Sequence, residues 1–455
     1  MSNDSQVADH PERLGDLAPI FERRRIVFAV DELGQLVLVR PDSVVVDTGE
    51  TPDEFVRAVE AVAKLDPKRA GELRERGPRQ GGLVSVHFQN EPTNVQNERR
   101  FSARPVQTAL DRLREAGARA EPNHVVIGSQ IVRGVPVGAE AHFAGGMVFT
   151  AELIDTPIGK VLKSTSDPAP PPAWLPEPLQ LENHRQPRIL VLDTGLRTDG
   201  TGTKVEHPKL TCVKLHSPWV VKSQPGEIDD EDEIDDDNSG TLDFEAGHGT
   251  FITGIIQQIC PDAEVHIGGV LSSFGDGDVA TVIATFEHAL ERVDKPFDLV
   301  VMSLGCYLNS DEGALFEAAL RRLLGNGLGV AAAGNQATSR KYFPAACPDI
   351  VGVGGLGQAD KAWFTNFGSW VDACAPAIDV VSTFFTRSPR HTLDEPPFTG
   401  WARWSGTSFA APKVAAVIAQ EMYLTKQDAR TVWRRLSDYR RYRFPDLGTV
   451  FNVGP

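Results

Sequence analysis

The sequence predicts an α/β chain in which a doubly wound, mostly parallel sheet follows a smaller N-terminal α+β unit. Three observations carry this expectation. The stretch SDPAPPPAWLPEP, 166–178, holds six prolines in thirteen residues, a composition that forbids helix and favours an extended spacer. Downstream of it, near-continuous apolar runs alternate with amphipathic patterns, as strands of a parallel sheet buried on both faces do. Upstream, the order across 25–130 is strand, helix, strand, helix, strand, which suits a small α+β unit. With 455 residues, the chain is too long for one ordinary core, so two folded units joined by a linker are the natural division.

In the N-terminal unit, 1–165, VFAVDELGQLVLVRPDSVVV (27–46) reads as strands in a hairpin or meander and PDEFVRAVEAVAKL (52–65) as a helix. GLVSVHFQ (82–89) reads as a strand, RPVQTALDRLREAG (104–117) as a helix and HVVIGSQIV (124–132) as a strand. After the linker, 166–186, the C-terminal unit spans 187–455. It begins with RILVLD (188–193) and AEVHIGGVL (263–271) as strands, followed by a helix near 279–293. FDLVVMSLG (297–305), a helix near 312–325 and LGVAAAGN (328–335) continue the alternation. Right-handed crossovers between the parallel strands follow by default.

The net charge of −16 argues against nucleic acid as a partner, and nine of the eleven residues in 227–237 are acidic. No run approaches the roughly 20 apolar residues of a membrane-spanning helix, so no membrane partner is expected. The opening MSNDSQVADHPERLGDL is polar and shows no secretory signal. A cytoplasmic protein is therefore expected, with export by another route left open. Cys212, Cys260, Cys306, Cys347 and Cys374 are scattered without CxxC spacing and read as buried free thiols rather than as a disulfide framework or zinc site.

Three short motifs carry chemistry. In VLDTG (191–195), an apolar strand ends in Asp193, which displays a carboxylate at the carboxyl edge of a parallel sheet, where ligands gather. In AGHGTFITGII (246–256), His248 lies between two glycines that let backbone crowd the imidazole, and a helical apolar pattern follows. In WSGTSFAAPKVAAVIAQEM (404–422), Ser408 opens a helix of small residues. Its hydroxyl then sits near the positive end of the helix dipole and beside unpaired N–H groups suited to an oxyanion. Pro412 is expected close to that helix start.

Together these motifs, in the order Asp, His, Ser, resemble the subtilisin family over about residues 187 to 440. AAAGNQ (331–336) and MSLG (302–305) extend the resemblance. It implies a subtilisin-like fold and a serine endopeptidase acting on a protein or peptide substrate, with Asp193, His248 and Ser408 as the triad and Asn335 as oxyanion donor. It further implies that Ser303, Leu304 and Gly305 on one side, and Gly329 to Ala333 with Ala332 and Gly334 on the other, flank an extended substrate. No cofactor is required for such chemistry, and the oligomeric state is left open. An α/β-hydrolase would need GxSxG where this chain has GTSFA. A sedolisin would replace His248 by glutamate and Asn335 by aspartate. The remaining alternative is a catalytically silent relative that binds peptides.

The chain departs from the family's familiar pattern at Phe251 and Lys413, where histidines are usual, and neither touches a triad member. In DDDNSGTLD (235–243), Asp235, Asp237, Ser239, Thr241 and Asp243 take positions 1, 3, 5, 7 and 9 of an EF-hand-type loop. That makes structural calcium a candidate, although position 12 is Ala246 rather than the bidentate glutamate. The N-terminal unit reads either as a propeptide that aids folding and then blocks the site, making the chain a zymogen, or as a retained regulatory domain.

Overall fold

The computed structural model describes residues 22–30, 36–49, 51–77, 82–95, 98–128, 166–173, 175–198, 205–210, 242–308, 312–385, 398–438 and 442–453, Asp235, and short strands within 142–162 and at 213–214. The N-terminal unit contains an antiparallel sheet of β1 (Val27–Val30), β2 (Leu36–Asp47), β3 (Leu83–His87) and β4 (Arg119–Gly128), in which β2 pairs with the other three. Helix α1 (Pro52–Ala63) starts where a capping box dictates. Thr51 Oγ1 accepts from the Glu54 amide, Glu54 Oε2 accepts from the Thr51 amide, and Pro52 takes the first helical position. Hydrophobic periodicity misses α2 (Pro67–Arg76), because PKRAGELRER buries only Ala70 and Leu73. Its signal is the cap: Asp66 accepts from the Arg69 amide and Pro67 follows. With α3 (Arg104–Glu115), these helices cover one face of the sheet, packing Phe55, Val62, Leu110 and Leu113 on Val44, Val46 and Val86.

The C-terminal unit is a doubly wound sheet. Its strands β5 (Arg188–Asp193), β6 (Glu264–Gly269), β8 (Leu299–Met302), β10 (Leu328–Ala332), β11 (Ile350–Leu356), β12 (Ala373–Pro376) and β13 (Gly448–Val450) run parallel in the order β6-β5-β8-β10-β11-β12-β13. Two short strands off this path, β7 (Asp276–Asp278) and β9 (Leu304–Gly305), bear on the site. Successive side chains of a strand point to opposite faces. Ile189 and Val191 therefore pack with Phe251 and Val414 of α4 (His248–Ile259) and α7 (Thr407–Thr425), while Leu190 and Leu192 pack with Ile283 and Phe316 of α5 (Val279–Arg292) and α6 (Ala314–Leu324). The register puts Leu192, Met302 and Ala331 in one row, so the next residues, Asp193, Ser303 and Ala332, stand side by side at the carboxyl edge of the sheet.

The proline-rich stretch is extended but is not a free spacer. Asp167–Pro168 pairs antiparallel with Ala402–Arg403, and the amides of Leu179 and Gln180 donate to the Asp262 carboxylate at 2.7 and 2.8 Å. Proline lacks the N–H of a ladder, not the carbonyl, so the segment can be fastened along a surface without forming a sheet of its own.

The two units share a sheet. β4 pairs antiparallel with both β7 and β9, and Val45 and Val126 join the same apolar cluster as Leu190, Val282 and Ile283.

Candidate active site

Asp193 is the last residue of β5 and is fully buried. Its Oδ1 accepts from the Thr194 amide at 2.8 Å and stands 2.7 Å from His248 Nδ1. A carboxylate can only accept, so Nδ1 carries the proton and Nε2 is the basic nitrogen. His248 is the first residue of α4, and the glycines beside it have separate reasons. Gly247 holds φ at +83°, in the left-handed region, and Gly249 sits where a β-carbon would overlap the Gly195 carbonyl. Edge-on Trp404 and tilted Phe409 lie 5.7 and 5.5 Å from the imidazole centroid, which brings the ring beside the residue that follows Ser408. Phe251, the first departure from the family pattern, fills the space behind, 4.6 Å from Phe409.

Ser408 is the second residue of α7, and Ser408 Oγ donates to the Ser303 carbonyl at 3.2 Å. Pro412 lies farther into the helix than expected, at its sixth residue. The physical reason is local: proline has no N–H for the carbonyl four residues back, and that carbonyl, of Ser408, accepts instead from Ser303 Oγ at 2.8 Å. The helix thereby continues through Pro412 while its opening turn is tied to the strand end at Ser303.

Asn335 follows β10. Its Oδ1 accepts from both the amide (3.0 Å) and the hydroxyl (2.8 Å) of Thr407, and this pair of donors settles which end of the carboxamide is oxygen. The buried Nδ2 makes no hydrogen bond among the described residues. It is thus an oriented, unspent donor next to the first turn of α7.

Of the expected substrate-flanking residues, Leu304 and Gly305 form the strand β9, which holds β4 in the register Leu304–Gly128 and Gly305–Ile127, and Ser303 precedes it. Tyr342 braces this edge by donating to the Gly305 carbonyl at 2.8 Å. Gly329 to Ala333 do not offer a second such edge. β10 lies between β8 and β11, whose ladders use its backbone groups, and the Ala333 amide donates to Val353 at 2.8 Å. Gly334 likewise gives its N–H to Thr407 Oγ1 and its carbonyl to the Asn366 amide. Ala332 and Gly334 are therefore wall positions beside Asn335. On the other side of β4, β7 pairs with Val125, Val126 and Ile127.

The sequence gives no hint of one further residue at the site. Glu245, three residues before His248, is fully buried, with Oε2 3.4 Å from His248 Nδ1. Burial is the main reason its carboxyl is pushed up to about 8, with His248 opposing the rise and Asp193 adding to it. It reads in sequence as the tail of an acidic loop.

Of the candidate calcium residues, Asp237, Ser239 and Thr241 lie outside the described residues, and Asp235 is partly buried. Asp243 is buried and its Oδ2 accepts from Ser273 Oγ at 2.6 Å. Among the described residues, no group of three or more His, Cys, Asp or Glu side chains is placed to hold a metal. Cys260, Cys306, Cys347 and Cys374 are buried free thiols, and Cys212 lies outside the described residues. Burial pushes Cys260, Cys347 and Cys374 up to about 12, so they are not nucleophiles at neutral pH. Lys413, the second departure, is nearly buried, and desolvation brings it down to about 8.

Comparison with known proteins places these features in a lineage. The model of the subtilase family matches residues 185–436. The chain is 30% identical over 276 residues to a thermophilic serine proteinase of Bacillus sp. (strain AK1), covering 58% of this chain and 59% of that protein. It is 30% identical over 243 residues to a cuticle-degrading serine protease of Arthrobotrys oligospora (strain ATCC 24927 / CBS 115.81 / DSM 1491), covering 51% and 50% respectively. The chain thus spans between half and three-fifths of the length of these relatives. Among solved structures, a cold adapted subtilisin-like serine proteinase aligns at 23% identity with a TM-score of 0.43, over 58% of this chain and 85% of that one. By the family match over its C-terminal unit, this chain belongs to the subtilase family.

Proposed function

We propose that the chain is a serine endopeptidase that hydrolyses protein or peptide substrates through an acyl-enzyme on Ser408, and that its N-terminal unit inhibits it in cis. The observation that carries the catalytic reading is the Asp193–His248 hydrogen bond at the sheet edge where Asn335 and the α7 opening at Ser408 also emerge. Ser408 Oγ attacks the scissile carbonyl as His248 Nε2 takes its proton. His248 then returns that proton to the leaving amine, and a water repeats the sequence to release the acyl group. Asp193 holds the imidazole in the Nδ1–H tautomer and stabilises the imidazolium. Asn335 Nδ2 and the Ser408 amide receive the oxyanion. Asn335→Ala is expected to lower kcat by about 10²–10³ with little change in KM, because the lost donor acts on the tetrahedral state rather than on bound substrate. Steady-state kinetics on a peptide substrate checks this.

Support for inhibition in cis comes from β4, which fills the lane between β9 and β7 as an added strand. Side chains of the same strand cap the helices behind it. Glu121 accepts from the amides of Gly313 and Leu315 at the start of α6, and Asn123 accepts from the Ala280 amide at the start of α5. Arg24 and Arg40 reach Asp276 at 2.7 and 3.1 Å, and Arg40 also reaches Asp278 at 3.1 Å. Burial alone would raise Asp276, but Arg24, Arg40 and the Ser272 hydroxyl outweigh it and hold the carboxyl below the ordinary range.

Glu245, Glu121 and Asp276 set the pH dependence of docking, Glu121, raised by burial, acting in the same sense as Glu245. Undocking hydrates Glu245 and returns it toward the ordinary 4.5, so the docked state binds more protons between there and about 8. Docking therefore weakens as pH rises across that interval. Asp276 acts oppositely: its pairing is kept above the ordinary carboxylate range and lost as pH falls through its depressed value. Hydrogen-exchange protection of the Val125–Gly128 amides, corrected for intrinsic exchange, is expected to be greatest in mild acid and to fall toward pH 8. Constant protection across that range would contradict the assignment.

Fluorophosphonate labelling tests the whole reading. Ser408 of the full-length protein is expected to carry the label, and Asp276→Asn to label faster because docking is loosened. Absence of label on Ser408 in both folded proteins removes the peptidase reading.

A further inference from the structure

A strand lying beside β9 runs directly over Glu245. The register Gly305–Ile127 and Leu304–Gly128 continues one step to Ser303, whose carbonyl is 3.2 Å from Ser408 Oγ. A substrate in this lane presents to Ser408 the carbonyl of the residue opposite Ser303. The residue before it takes the place of Gly128.

At that place a β-carbon would overlap both oxygens and the carboxyl carbon of Glu245. The backbone does not itself demand glycine there, since Gly128 is not among the glycines of positive φ. The restriction comes from Glu245, and that side chain is hemmed in. With β4 docked it is fully buried, and its Cγ lies so close to Gly275 that a β-carbon on Gly275 would overlap it. The Glu245 amide donates to the Ser273 carbonyl at 2.7 Å, and its carbonyl accepts from the His248 amide at 3.0 Å. Among the described residues its carboxyl oxygens make no hydrogen bond, Oε2 standing 3.4 Å from His248 Nδ1, and the Gly128 amide is engaged with Gly275 at 2.9 Å. The atoms met are the free end of the Glu245 side chain, and it is the stem behind them, held at Cγ against Gly275, that keeps the carboxyl at this point of the lane.

We propose that Glu245 makes the cleft selective for glycine at the residue immediately preceding the one whose carbonyl Ser408 attacks. This rests on the peptidase reading and adds a specificity determinant to it. A lysine at that position would bring a cation to the carboxylate, but its β-carbon needs the same volume that excludes alanine. The Gly128 of the docked strand satisfies the requirement, which lets the N-terminal unit lie in the lane as a substrate would.

The test uses full-length protein and peptides that differ only at this position, carrying glycine, alanine, leucine or lysine, with products read by mass spectrometry. The glycine peptide is expected to be cleaved about ten-fold or more faster than the others, and Glu245→Ala to collapse that ratio. Equal rates for glycine and alanine, a preference for lysine, or a ratio unmoved by Glu245→Ala overturns the inference. A second measurement needs no turnover. In full-length Ser408→Ala protein, Gly128→Ala is expected to reduce hydrogen-exchange protection of the Val125–Ile127 amides about ten-fold or more, and added Glu245→Ala to restore it. If no peptide is cut and Ser408 takes no label, the peptidase reading fails. The exchange cycle still decides the contact, and protection that Gly128→Ala leaves intact, or that Glu245→Ala does not restore, sinks the proposal.

Discussion

Replacement of Ser408 by alanine is expected to reduce kcat by on the order of 10⁶ while KM changes little, as for the nucleophile of subtilisin. The size follows from what the hydroxyl does. Without it no acyl-enzyme forms, and the residual rate comes from water acting within the Asn335 and α7 oxyanion environment. The fold should survive the change. Ser408 Oγ donates to the Ser303 carbonyl at 3.2 Å, and the shorter tie between these residues, Ser303 Oγ to the Ser408 carbonyl at 2.8 Å, does not involve the lost atom. Single-turnover and steady-state measurements at the pH of maximal wild-type turnover check both numbers, and a residual rate within about a hundred-fold of wild type would remove Ser408 from the nucleophile's role.

Asp193→Ala is expected to be the next most costly change, lowering kcat by on the order of 10⁴. Two losses combine. The Nδ1–H of His248 and the Thr194 amide both give up their acceptor at Oδ1, so neither the ring's tautomer nor its tilt is held. The negative charge that stabilises the imidazolium in the transition state also goes. Because the two residues act in one proton transfer, the double variant Asp193→Ala/Ser408→Ala should be no slower than Ser408→Ala alone. Additive losses in that double variant would show that Asp193 serves the fold and not His248. Substrate affinity should be nearly unchanged throughout, since neither side chain belongs to the strand edge Leu304–Gly305.

Local sequence by itself determined the α/β class, most element positions and the short motifs around Asp193, His248, Asn335 and Ser408. These are features of a few consecutive residues: an apolar run such as RILVLD, a glycine pair about a histidine, a serine before a run of small residues. Backbone periodicity and turn chemistry act at that range, so they are legible without a fold. Even locally the reading fails where burial is sparse, as at Pro67–Arg76, whose helix is announced by its Asp66 cap and not by its two buried residues.

Only the tertiary structure decided what lies across the cleft. Gly329 to Ala333 and Leu304–Gly305 look alike as apolar strands, yet one is central in the parallel sheet and the other lies off it with its edge taken by β4, because hydrogen-bonding neighbours are chosen by topology. The pairing of Leu304 with Gly128 and of Asp276 with Ile127 joins segments more than a hundred residues apart, and no periodicity reaches that far. Glu245 shows the same limit in chemical form. In sequence it follows the acidic stretch 227–237, and in the fold Gly128, Gly275 and His248 enclose it. The withdrawal of water by distant segments turned an ordinary carboxylate into a buried acid beside His248.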